Sequence, residues 1–403
     1  MIHVALLGFG VVGSGTAEVL TTNKAIIEKK IGEEISIKYI LDLRDFPDSP
    51  FADRIVHDFN VIVSDPEVSV VAEMMGGSHP AYDFTIACLR AGKSVVTSNK
   101  EVVANFGTEL LAVAKEHGVS YLFEASVGGG IPIIRPLRED LASNNVTAIS
   151  GILNGTTNYI LTRMDAEGAS FEDVLKDAQK LGYAEANPAA DVEGLDAARK
   201  IVILAAMAFG KRINPNTILC EGITKITAAD SELAKELGYA IKLIGYTTRI
   251  DGKILAMVSP RLVSRLNPIH GVSYVNNGIL VTADMVGEVM FYGPGAGKLP
   301  TASAVTGDLV DVMAHTPAGI ISPVWVDAEP HEIADPEAYV CRHLVVLDAP
   351  LSAEGEIAAH FALNAVRHTE GRFSFITEEL SEAEVKARIS AVGYPLVTRI
   401  RLL

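Results

Sequence analysis

Gly8-Phe9-Gly10-Val11-Val12-Gly13 stands directly after the β-branched and aliphatic run His3–Leu7 and opens a helical pattern. Strand, glycine turn and helix in that order are the context in which a G-x-G-x-x-G carries meaning. Gly8 permits the tight turn, Gly10 lets the backbone approach a pyrophosphate, and Gly13 lets helix and strand pack closely. The pyrophosphate then meets the free N–H groups and positive dipole of a helix N-terminus. A chain that begins this way is tightly restricted in what it can build: an open α/β sheet that binds a dinucleotide.

The next hundred residues continue the rhythm. Strands are expected at Ile35–Leu41, Ser69–Met74, Ser94–Thr97 and Val119–Phe123, with helices at Gly13–Lys30, Pro80–Ala91 and Glu101–His117. That βαβ alternation predicts a parallel, doubly wound sheet. After the second strand come Asp42 and Arg44. An acidic residue there can bind ribose hydroxyls and an arginine can hold a 2′-phosphate, so NAD and NADP both stay open. The chain from Met1 to Leu7 lacks the basic flank of an export signal and reads as the first strand.

Ala178–Lys200 is the second informative stretch. Two glycines, a proline, carboxylates and lysines crowd where an ordinary helix would alternate apolar and charged residues. Asp196 and Lys200 lie four apart, on one face of a helix, and Ile201–Phe209 then turns apolar and enters a core. Lys100 closes Thr97-Ser98-Asn99-Lys100 at the carboxyl end of a strand, the edge that faces the ligand crevice. Two ammonium groups in one partly dry cleft would depress lysine basicity toward what proton transfer at neutral pH needs. Asp196 would oppose that shift while orienting Lys200. Glu185 and Asp191 suit a substrate ammonium, and Asp191 could also N-cap the helix of Lys200. Asn154-Gly155-Thr156-Thr157-Asn158 suits a carboxylate or a plain helix cap. Glu124–Pro132 offers a carboxylate and several carbonyls, the oxygen ligands of a hard cation, or an interdomain hinge. Gly293–Gly297 is either a flexible loop or a close backbone approach to a ligand.

Charge and cysteines exclude several classes. A formal charge of −16 over 403 residues repels phosphate backbones and anionic lipid, so nucleic-acid and membrane partners are not expected. Cys88, Cys220 and Cys341 form neither a disulfide framework nor a zinc spacing, which fits a reducing cytoplasmic compartment.

The remaining chain divides further. The expected units are a dinucleotide-binding domain over 1–125, completed by about 300–318, and an α+β catalytic and dimerisation domain over 126–300. A proline-rich linker over 319–337 and a small βαββαβ unit over 338–403 follow. The last has the ferredoxin-like order, with strands at Tyr339–Leu347, Ala365–Arg367, Phe373–Thr377 and Val397–Leu402 and helices at Ser352–Ala365 and Ser381–Val392.

Nearly the whole chain resembles the homoserine dehydrogenases, in the N-terminal glycines, Met75-Gly76-Gly77, Thr97–Lys100, Glu124–Pro132, Asn154–Asn158, Ala178–Lys200 and Gly293–Gly297 followed by Pro300–Ser303. The resemblance implies a Rossmann-type fold and NAD(P)-dependent interconversion of L-homoserine and L-aspartate 4-semialdehyde in threonine, methionine and isoleucine biosynthesis. Lys200 would move the proton, with Lys100 and Asp196 beside it, and Glu185, Asp191, Asp196 and Thr156 would bind homoserine. Gly8, Phe9, Gly10, Val12, Gly13, Arg44, Gly76, Gly77, Ser98, Lys100, Gly182 and Gly297 would hold the cofactor. Glu124, Val127, Gly129 and Ile131 would bind sodium, and the assembly would be a homodimer or homotetramer. The tail resembles an amino-acid-sensing ACT domain, except that Asp348-Ala349-Pro350-Leu351 replaces the usual Asp-x-Pro-Gly turn, which leaves threonine feedback open. A non-catalytic sensor on the same scaffold is the alternative. A dehydrogenase of the phosphorylated aspartyl precursor would need a nucleophilic cysteine that none of these motifs contains.

Overall fold

The computed structural model describes residues 1–315, 322–369 and 371–403. Six parallel strands form the first sheet: β1 (Ile2–Leu7), β2 (Ile35–Leu41), β3 (Ile55–Val56), β4 (Val68–Glu73), β5 (Ser94–Thr97) and β6 (Tyr121–Leu122). Their order is β3-β2-β1-β4-β5-β6, the doubly wound arrangement whose crevice opens between β1 and β4. Val4–Leu7 and Val70–Glu73 are buried on both faces, as parallel strands covered by helices must be.

The expected first helix, Gly13–Lys30, is two helices, Val11–Thr22 and Lys24–Ile31. Asn23 separates them, and Thr21 Oγ1 donates back to the Ala17 carbonyl at 2.8 Å, a local bond that competes with a straight helix. A helix over Lys298–His315 returns to this sheet, burying Val305, Leu309, Val312 and Met313 with Val4 and Leu6.

The second sheet has ten strands. Gly287–Pro294, Asn276–Ala283, Val146–Ile152, Tyr239–Ile250 and Lys253–Ser264 run side by side, followed by Leu396–Leu402, His343–Asp348, Arg372–Ile376 and Asn364–Thr369, and the tenth, Leu219–Cys220, pairs with Lys253–Ser264 off this path. The last four of the path are antiparallel to one another, with a helix over Glu382–Val392, and have the expected split βαββαβ order. The helix expected at Ser352–Ala365 is shorter, a single turn over Glu354–Ala358. Leu396–Leu402 joins Lys253–Ser264 through two residue pairs, Arg261 with Arg401 and Leu262 with Leu402.

The stretch expected to be a linker is packed. Its residues 319–321 lie outside the described residues, but Trp325 is buried against Phe123, ring centroids 5.2 Å apart. Val326–Asp327 pairs with Lys211–Arg212, and the Ala334 N–H donates to the Ile254 carbonyl at 2.9 Å. Apolar residues between its prolines make this a strap, which proline count alone does not reveal.

Candidate active site

At the crevice the glycine turn does what its sequence demands. Gly8 has φ +92°, a conformation costly for any other residue, and a Cβ on Gly13 would overlap the Gly8 carbonyl. Gly10 N-caps the Val11–Thr22 helix, and a Cβ there would meet open space. The Phe9 N–H donates to Asp42 Oδ2 at 2.9 Å. Arg44 lies back on the same carboxylate, Nε to Oδ1 at 3.0 Å and Nη2 to Oδ2 at 3.1 Å. That guanidinium holds the Asp42 carboxyl down at about 2. Gly8, Asp42, Arg44 and Met75 line a cavity of about 400 Å³ whose far wall is the stacked pair Phe59 and Phe84. An apolar slot with one acidic and one basic residue at its mouth fits an adenosine.

A second cleft, about 570 Å³, lies between the two sheets. Val12, Ser98, Lys100, Asn154, Thr156, Gly182, Asp191, Asp196, Lys200 and Gly297 all line it. Its polar centre is a compact cluster at the start of the Leu195–Phe209 helix, whose following residues Ile201–Ala206 are almost entirely buried. Lys200 Nζ donates to Asp196 Oδ2 at 2.7 Å and to the Leu153 carbonyl at 2.6 Å. Lys100 Nζ reaches the other oxygen, Oδ1, at 3.0 Å. Asn154 Nδ2 donates to Asp191 Oδ1 at 2.8 Å and to Asp196 Oδ2 at 2.9 Å, while its own Oδ1 caps Thr157.

Burial lowers the Lys200 pKa; Asp196 pulls it back up and Lys100 pushes it down again. Burial opposes charge on Asp196, yet Lys200, Lys100 and the Asn154 amide outweigh it and hold that carboxyl below the ordinary range. Asp191 shifts the other way: burial raises its pKa, Asn154 opposes, and the Asp196 charge adds to the rise. Two carboxylates side by side thus differ in how readily they hold a proton.

The expected residues are not all brought together. Asp191 reaches the cluster but does not cap the Lys200 helix; Gly194, with φ +85°, occupies that position. Glu185 lies exposed on the loop that carries Gly182 and Tyr183 and is not part of the cleft wall. The Glu124 carboxylate is committed elsewhere, accepting the N–H groups of Ile133, Ile134 and Arg135 at 2.6, 2.8 and 2.8 Å. Gly76 and Gly77 form a left-handed turn beside Met75. Gly293–Gly297 packs against the protein itself: Gly130 N donates to the Pro294 carbonyl at 3.1 Å, and Gly295 is pressed on Asn277.

Three contributions escape sequence reading. Tyr183 and Val275 line the cleft from a loop and from the start of the Asn276–Ala283 hairpin, with no local signal. Asn154 bridges two acids, whereas its sequence context shows only a cap. Glu73, at the end of β4, is fully buried and accepts from Thr97 Oγ1 at 2.6 Å and from the Met75 N–H at 2.7 Å. Asn99 completes that layer by donating to the Gly77 carbonyl at 2.7 Å.

A dinucleotide crevice that opens onto a buried lysine–aspartate cluster defines an NAD(P)-dependent oxidoreductase acting on a CH–OH group. Known proteins narrow this. The family model "Homoserine dehydrogenase, NAD binding domain" matches residues 8–124, and "Homoserine dehydrogenase" matches residues 132–310. The homoserine dehydrogenase of Synechocystis is 45% identical over 323 residues, 77% of this chain and 73% of that protein. That of Neisseria gonorrhoeae is 37% identical over 97% of this chain and 95% of its own. Among solved structures, the homoserine dehydrogenase of Thiobacillus denitrificans superposes with a TM-score of 0.90 at 37% identity, covering 100% of this chain and 98% of that one. A hyperthermophilic archaeal homoserine dehydrogenase mutant in complex with NADPH gives 0.66 at 29% identity, over 77% and 97%. The chain belongs to the homoserine dehydrogenase family.

Proposed function

We propose that this cleft interconverts L-homoserine and L-aspartate 4-semialdehyde, with Lys200 as the group that gives and takes the proton. The carrying observation is the placement of the Lys200 ammonium, dry and held from two sides by Asp196 and the Leu153 carbonyl. A bound nicotinamide supplies the hydride chemistry; Gly8, Phe9, Gly10, Val12, Gly13, Gly76, Gly77, Ser98, Gly182 and Gly297 would hold the dinucleotide, and Arg44 or Asp42 would meet the adenosine ribose. Lys200 protonates the alkoxide that develops on reduction and accepts the hydroxyl proton on oxidation. Lys100 adds a second positive charge where negative charge grows, and fixed charges of this kind are a large catalytic effect in a dry site. Asp196 keeps Lys200 aimed and protonated at rest. Asp191, Thr156 and the rim residue Glu185 receive the amino-acid end of the substrate.

A sodium ion, if held, takes the carbonyls of Val127, Gly129 and Ile131, since the Glu124 carboxylate is spent on three N–H groups. The domain division is that expected above, with residues 322–337 a packed strap in place of a free linker. A cytoplasmic homodimer or homotetramer accords with an edge strand, Gly287–Pro294, that leaves Tyr292 exposed, and with the lack, among the described residues, of any helix long and apolar enough to cross a membrane.

The test is absorbance at the reduced-nicotinamide band with L-aspartate 4-semialdehyde and NADH, then NADPH, repeated with Lys200→Ala. Oxidation that disappears in the variant supports the reading. Cofactor binding without turnover in the wild type overturns it in favour of a sensor.

A further inference from the structure

We infer that Arg401 and Glu221 are positioning residues for the dehydrogenase reaction, setting from the C-terminal unit the turn that carries Asp191 and Asp196. The inference rests on the role given above to that turn. Arg401, in the last strand, is 3% exposed and grips two carboxylates at once. Within the C-terminal unit it donates to Glu382, Nε to Oε1 at 2.6 Å and Nη2 to Oε2 at 2.9 Å. Across the seam it donates to Glu221, Nη1 to Oε2 at 2.5 Å and Nη2 to Oε1 at 3.2 Å. A fork-to-fork pair of this kind fixes orientation as well as distance.

The surroundings fix Arg401 itself. Arg399 Nη1 also donates to Glu382 Oε2, at 2.7 Å. Cys341, His343 and Glu382 place ligand-type atoms within 4.8 Å of one another, but the arginines already saturate the Glu382 carboxylate. The cluster is therefore an ion-pair node: three guanidinium N–H groups occupy Glu382, and burial pushes the Cys341 thiol up to about 11, away from the thiolate form that binds metal. Arg261, the register partner of Arg401, is fully buried between the rings of Tyr246 and Tyr339. With Glu382 shared between two arginines, Glu221 is the second counter-charge that this buried group of guanidinium ions needs.

Glu221 passes the constraint on with little slack. A Cβ on its neighbour Gly222 would overlap the Val192 carbonyl, and the Ile223 N–H donates to that same carbonyl at 2.8 Å. On the other side Cys220 Sγ donates to the Glu193 carbonyl at 3.3 Å, and a Cβ on Gly194 would stand 3.1 Å from that sulfur. The segment 220–223 thus lies flat on residues 192–194. Asp191 precedes that turn by one residue and Asp196 follows it by two. Asp191 receives the substrate in the proposed reading, so small displacements of this turn register first in substrate KM.

The test uses the full chain, with Glu221→Gln as the main variant because Glu221 is partly exposed and its loss does not leave a buried charge on its own side. KM for L-aspartate 4-semialdehyde is expected to rise about three- to tenfold, with KM for NADPH within about twofold of wild type. Arg401→Lys, which keeps the charge but not the fork, is expected to give a smaller change in the same direction, and the double variant no more than the larger single one. Unchanged KM and kcat with a lowered Tm, or additive effects in the double variant, would overturn the inference. Lys200→Ala in the same assay separates the two claims. If it retains turnover, the reading of the site fails and the inference with it; if it is inactive while Glu221→Gln behaves as wild type, the inference alone fails.

Discussion

Lys200 Nζ and Asp196 Oδ2 stand 2.7 Å apart, one turn along the same buried helix. An i, i+4 pair on an exposed helix contributes a few tenths of a kcal/mol. Here both partners are desolvated, so removing Asp196 leaves the Lys200 ammonium with only the Leu153 carbonyl, a loss on the order of 3–5 kcal/mol for buried pairs. The pair is weak evidence for stability and strong evidence for placement: the carboxylate decides where the ammonium sits.

Replacing Lys200 with Ala should therefore separate chemistry from binding. Turnover is expected to fall by about 10²–10⁴, the usual worth of a positioned acid–base group, while NADPH affinity by fluorescence titration stays near wild type. Comparable losses in both would place Lys200 in cofactor binding instead.

The pH dependence has a definite sign. Burial brings the Lys200 pKa below its ordinary 10.5. Homoserine oxidation needs the neutral amine and should rise with pH through that lowered value; semialdehyde reduction needs the ammonium and should fall through it. Asp196 raises the Lys200 pKa, so Asp196→Asn should move the midpoint of both profiles to lower pH. Initial rates in both directions over roughly pH 6 to 10 would show it, and a midpoint moved upward would contradict this assignment.

Arg44 gives a test of coenzyme choice. Its guanidinium is 63% exposed and already oriented by the Asp42 carboxylate. Arg44→Ala is expected to raise KM for NADPH about 10- to 100-fold and to leave KM for NADH nearly unchanged, because only the former carries a 2′-phosphate. Equal effects on both coenzymes would remove Arg44 from the ribose site.

Lys242 gives a stability test away from the chemistry. Its ammonium is buried, donating to the Val272 carbonyl at 2.7 Å, and burial lowers its pKa to about 8. The folded protein loses that proton near pH 8 and the unfolded chain near pH 10.4. Between these values the unfolded state binds more protons, so this group makes stability rise with pH across the window, by at most about 3 kcal/mol. Lys242→Met should flatten that rise in denaturant midpoints taken below and above the window.

Local signals made much of this legible. Gly8 and Gly13 announce a turn and a close approach that no larger residue allows, and Asp196 and Lys200 share a face because helical geometry puts them there. The break at Asn23, the buried Trp325 and the bridge from Asn154 to Asp191 and Asp196 were not legible. The last two depend on partners distant in sequence, and neither propensity nor spacing encodes which distant surface will arrive. Residue type alone singles out Glu185, which stands exposed on the rim loop beside the cleft.

The nine-strand path of the second sheet has one thin join. Tyr239–Ile250 and Lys253–Ser264 are zipped through twelve residue pairs, whereas Lys253–Ser264 meets Leu396–Leu402 through two. A hydrogen-bonded ladder resists shear in proportion to its rungs, so twisting the sheet would part it here first. On the amide-exchange timescale the molecule should behave as two stiff plates on a short seam, and the Arg401–Glu221 bridge is the side-chain rivet that crosses it.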